Sequence, residues 1–225
     1  MQRENLSLNP SARRSQGFSK SRRNLLVNGA IAGVGVAGAV GMQALMPGAS
    51  DAAPGVKEND IKILNGALFY EHQAIWAYNV AAGKLTNTDV GKAVLALALR
   101  NQADHKAHRD ALAAAVRSLG GKPVAAESSY DVSAYLKKGE GNLDSDVNIA
   151  KLALALETDA AIAYTLEAAK LKTPALITAG ASIGTAESAH AAAIRATFKA
   201  LGVKLEIVPS AFVSLDSRKL WVLTV

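Results

Sequence analysis

Three glutamates and three histidines stand at spacings that would let them share one site. Glu71 and Glu157 occur singly in long apolar stretches, while His105-Lys106-Ala107-His108 and Glu187-Ser188-Ala189-His190 each set two ionisable side chains three residues apart. In a helix, positions i and i+3 lie on one face, less than a turn apart. Alternating steps of three and four follow the face that a helix turns to its neighbours. Traced this way, Glu71 falls between Leu68 and Ile75, and Glu157 between Leu154 and Ala161. The other two seams run Asn101, His105, His108, Leu112 and Ile183, Glu187, His190, Ile194. Ionisable groups midway along apolar seams would be buried. An unpaired buried carboxylate is costly or gives up its charge, and several at one level repel one another. Divalent cations relieve both problems, with Glu oxygens and neutral His nitrogens as ligands.

Four long helices must position these groups. The first is expected from about Asn59 to Ala82, ended by Gly83, and the second from about Asp89 to Leu119, closed by Gly120-Gly121 and Pro123. The third runs from about Asp146 to Lys172, and the fourth starts at Thr173-Pro174 and ends near Gly202. Thr suits the N-cap, and Pro the first helical position. Short loops make the first and second helices, and the third and fourth, antiparallel neighbours. The segment from Gly120 to Ser145 is a long crossover with a short helix expected at Ser133–Lys138, and the charges of Lys137-Lys138-Gly139-Glu140 read as a solvated loop. Beyond Val203, Leu205-Glu206-Ile207-Val208 and Leu220-Trp221-Val222-Leu223 read as strand-like pieces of an extension, 203–225, packed on the helices.

An internal repeat supports two matching hairpins. Leu68, Glu71, Ala74, Ala77 and Tyr78 recur 86 residues later as Leu154, Glu157, Ala160, Ala163 and Tyr164. His105 and His108 correspond to Glu187 and His190 at an offset of 82. A site between such hairpins would be built from two similar halves.

A single Glu on the first and third helices, with Glu-x-x-His on a partner helix, resembles the ferritin-like di-iron or di-manganese carboxylate bundle. The resemblance spans roughly residues 58–202 and implies an all-α fold: a four-helix bundle over 54–202 with its long crossover between helices two and three. It implies two divalent metal ions, iron first, with manganese or zinc as alternatives, held by Glu71, His108, Glu157, Glu187 and His190, with His105 the sixth candidate ligand. It also implies reaction with dioxygen or peroxide, in oxidative stress or metal handling; a non-catalytic metal-binding bundle is the alternative. His105 departs from the pattern, because it stands where a fourth carboxylate is expected. Either His105 is a ligand, or Asp104 reaches in from about 100° round the helix, or the site holds one ion. His72 lies off the seam; Tyr78 and Tyr164, two turns beyond the Glu residues, read as core packing or, with Asp104, as residues that support the ligands from behind.

The composition narrows the remaining choices. The 225 residues contain no Cys, which excludes disulfide scaffolds and thiolate metal sites, and only four His. The net charge of +6 is concentrated at the start: residues 1–53 hold six basic and two acidic side chains, leaving 19 basic and 17 acidic over the rest. A nearly neutral domain without a basic stripe is not a nucleic-acid binder. Ser21-Arg22-Arg23-Asn24-Leu25-Leu26, an uncharged Gly- and Ala-rich run, and small residues up to Ala53 resemble a twin-arginine signal with cleavage after Ala52. That resemblance implies recognition of Arg22 and Arg23 by the twin-arginine export machinery and a periplasmic or otherwise exported protein. A homodimer is a candidate assembly.

Overall fold

The computed structural model describes residues 53–225; the expected leader, with Arg22 and Arg23, lies outside them. Six helices follow: α1 (Pro54–Ala82), α2 (Asp89–Ser118), α3 (Ser133–Lys137), α4 (Asp146–Ala168), α5 (Pro174–Ala200) and α6 (Arg218–Trp221). There is no strand among the described residues, so the fold is all-helical. Helices α1 and α2 pack as one hairpin and α4 and α5 as the other, and the four long helices surround a shared core. No helix among the described residues is long and apolar enough to cross a membrane.

The helix ends have identifiable local causes. Thr88 caps α2 by accepting from the Gly91 amide at 3.1 Å, and Ser145 caps α4 by accepting from the Asn148 amide at 3.2 Å. The expected Thr173 cap is different. Its side chain makes no capping bond; instead the buried Asp60 of α1 accepts from the Lys172 and Thr173 amides at 2.8 and 3.0 Å. Asp146 at the start of α4 makes the matching bond, accepting from the Thr86 amide at 2.8 Å. Asp60 and Asp146 are themselves 86 residues apart, so each hairpin latches the loop of the other at equivalent positions.

Two expectations for the loops and tail are corrected. Leu205–Val208 is irregular, and Leu220-Trp221 closes the short helix α6 rather than forming a strand. Glu140 is not in a solvated loop: it is buried and accepts both guanidinium arms of Arg218 at 2.6 and 2.8 Å, while Arg218 also donates to Asp159 on α4. The partner of Glu140 lies 78 residues away, beyond the reach of local pattern. Trp221 is buried, and the buried Arg195 of α5 donates to its carbonyl at 2.5 Å, which holds the tail against the bundle.

Candidate metal centre

Halfway along the bundle, α1 supplies Glu71, α2 His105 and His108, α4 Glu157, and α5 Glu187 and His190. All except the slightly more open His108 are buried. Their donor atoms form two groups, each within 4.8 Å: Glu71, His105, His108 and Glu187 in one, and His105, Glu157, Glu187 and His190 in the other. His105 and Glu187 are common to both. Glu71 with His108, and Glu157 with His190, are the private residues of each half.

His105 lies between the two hairpins, with Nδ1 2.8 Å from Glu71 Oε2 and Nε2 3.1 Å from Glu157 Oε1. His190 Nδ1 is 3.1 Å from both Glu157 Oε2 and Glu187 Oε2. Its other nitrogen, Nε2, is 3.1 Å from Asp104 Oδ2, and Asp104 in turn pairs with Arg100 at 2.5 Å. Asp104 therefore does not enter the centre directly. It orients His190 from outside, as carboxylates behind metal-binding histidines commonly do. His72 stays out of the centre, with Nε2 3.3 Å from the Val124 carbonyl.

The tyrosines are more than core packing. Tyr78 of α1 donates to Glu157 of α4, and Tyr164 of α4 donates to Glu71 of α1. Each phenol thus reaches the carboxylate of the other hairpin, and Asn101 adds a bond to the Tyr78 hydroxyl at 3.1 Å. The sequence reading assigned no role to Asn101. The repeat, which carries Tyr78 and Tyr164 at the same offset as Glu71 and Glu157, held the signal for the crossed pairing. It could not show which carboxylate each phenol meets.

Burial alone would raise the carboxyl groups and lower the imidazoles. For Glu71, the hydrogen bond to His105 and the nearby His108 imidazole outweigh burial and hold it at about 2. Glu157 is likewise held well below the usual carboxylate range by His105 and His190, against its burial. Despite burial, Glu157, Glu71 and Glu187 push His105 well up. Glu187 and Glu71 raise His108 to about 9, and Glu157 and Glu187 raise His190 to about 10. Glu187 is the exception. Burial raises it, the negative Glu157 adds to that, and the neighbouring His108 and the bond to His190 do not overcome the sum. The carboxylates thus draw the three imidazoles toward their charged forms, and the shared carboxylate is the least well compensated.

The donor set fits a divalent cation. His108 Nδ1 and Glu187 Oε1 are both buried and lie 3.0 Å apart, yet neither makes a hydrogen bond. Buried polar atoms without partners are rare and need an explanation. Two donors about 2.1 Å from one ion and about a right angle apart are about 3 Å from each other, so one cation would satisfy both.

Comparison with known proteins gives a family and a fold. Residues 59–200 match the family described as Ferritin-like domain. The crystal structure of a conserved hypothetical protein from Mycobacterium tuberculosis aligns with 67% of this chain and 98% of that chain, at a TM-score of 0.55 and 19% identity; the likeness is one of fold. No curated protein matches the sequence.

Proposed function

The chain belongs to the ferritin-like domain family, and from that premise we propose that it is an exported protein whose bundle holds two divalent ions, iron or manganese, and reacts with dioxygen or peroxide. The observation that carries this reading is the pair of four-residue donor groups sharing Glu187 and His105, with the buried His108 Nδ1 and Glu187 Oε1 left unbonded. When bound, two such ions would supply electrons and open coordination positions to an oxidant. The protein's own part is to hold the ligands in a dry core, to orient His190 through Asp104, and to hold the Tyr78 and Tyr164 hydroxyls as donors to Glu157 and Glu71.

One observation favours a second reading, a non-catalytic bundle with a single ion. Both ring nitrogens of His105 already face carboxylates, Glu71 and Glu157. A neutral imidazole has only one free lone pair, so unlike a carboxylate it does not bridge two ions. If His105 stays protonated, its charge replaces that of one cation.

Metal analysis of the natively exported protein, with its optical spectrum and its peroxide consumption, separates the two. Two iron or manganese ions per chain and peroxide turnover are expected. One redox-inert ion without turnover establishes the second reading. Export itself is tested with the Arg22→Lys, Arg23→Lys double variant, which should remain in the cytoplasm; unchanged export would refute the twin-arginine route.

A further inference from the structure

The two ends of the bundle are related by the repeat but are not equally filled. Beside Tyr164 the packing leaves a cavity of about 20 Å³, while beside Tyr78 it leaves one of about 160 Å³. The first has room for little more than a water molecule. The second is comparable to apolar cavities of about 150 Å³ that stay dry and take up a benzene-sized molecule.

The residues lining the two ends differ at equivalent positions. At the filled end, Leu64 of α1 and Leu176 of α5 project into the core. At the same offsets of 86 and 82, the open end has Ala150 of α4 and Val94 of α2. Asn101 replaces Ile183 in the same way. Leu97 and Ala98 stand in turn where the filled end has Ala179 and Gly180, and Asn101 places an amide against the Tyr78 hydroxyl. Exposed Val147, Leu201 and Val203 form part of the cavity's lining on the solvent side.

We propose that this hollow end is a binding pocket for a small, largely apolar organic molecule, about the size of a single aromatic ring, held beside the Glu157–His190 half of the centre. Size and apolar lining select the class. Tyr78, Asn101 and Thr197 are the polar residues of its lining, and Tyr78 is also the donor to Glu157, which ties the pocket to the centre. The Tyr164 half has no such space, which makes the two halves of a near-symmetric centre unequal in what can approach them. That the molecule is a substrate of the centre rests on the function proposed above; its binding does not.

The test uses the full chain, with and without metal, and toluene as the probe. Toluene should bind saturably to both forms, seen as a rise in melting temperature and as shifts of the Ala98 and Ala150 methyl resonances. Ala150→Leu restores the residue found at the filled end and should weaken toluene binding about tenfold or more, a loss of about 1.4 kcal/mol, while metal content stays that of the parent. Ala98→Val fills the same space with less added volume and serves if Ala150→Leu does not fold. Absence of saturable binding, or unchanged affinity in a folded variant, overturns the pocket. Toluene binding to a protein that takes up no metal keeps the pocket and removes the metal reading instead.

Discussion

His108 Nδ1 and Glu187 Oε1 face each other in the core at 3.0 Å without a hydrogen bond. Because Glu187 belongs to both donor groups and Glu71 to one, their removal should differ. Glu187→Gln is expected to abolish binding of both ions, and Glu71→Gln to weaken one. Elemental analysis after dialysis reads the stoichiometry. Equal retention of metal in the two variants would contradict a shared Glu187. In the parent, chelation should lower the melting temperature, because metal that binds only the folded chain adds to its stability.

His105 decides between one ion and two. His105→Glu supplies the fourth carboxylate and should hold two ions with faster peroxide consumption, whereas His105→Ala should lower metal stoichiometry or affinity. His72→Ala, outside the centre, should change neither. If His105→Ala binds metal as the parent does, His105 is not a ligand.

The metal-free protein should lose stability in alkali. His108 and His190 are raised to about 9 and about 10 in the fold, from an ordinary value of about 6.5. Their contribution is complete below about 6.5 and disappears as pH rises through the folded values. Denaturant midpoints of chelated protein should therefore fall between about pH 7 and pH 10. Over the same window metal affinity should rise, because the ligating imidazoles must release protons. A flat midpoint for the chelated protein across that range would show that these histidines are not charged in the fold.

The crossed phenols should contribute unequally. A hydrogen bond to a charged group is worth about 1.5–3 kcal/mol. Tyr164→Phe removes one such bond, to Glu71, and should cost about 2 kcal/mol. Tyr78→Phe removes the bond to Glu157 and also strands the Asn101 amide, adding about 1 kcal/mol. Urea unfolding of the metal-free variants measures both. Losses below about 0.5 kcal/mol in each would mean that water replaces the phenols.

The sequence by itself determined the four long helices, their pairing into hairpins and the six ionisable residues at their centre. Burial of a periodic face is local, and a repeat of 86 residues makes a two-fold site legible from the chain alone. Tertiary structure alone decided what those groups do to one another. Spacing placed Tyr78 and Tyr164 on their own helices, but a phenol spans the gap between hairpins, and only packing shows that each meets the opposite Glu. Spacing turned Asp104 away from the seam, yet its side chain meets His190 of the neighbouring helix from outside. Glu140 sits in a stretch that reads as solvated, and Arg218, arriving from the far end of the chain, buries it. The hollow at Tyr78 is lined from several helices, Val94 of α2, Ala150 of α4 and Phe198 of α5 among them, a volume that no one helix encloses alone. Periodicity is a property of one helix at a time, whereas hydrogen-bond partners, charge compensation and cavities belong to the distances between helices.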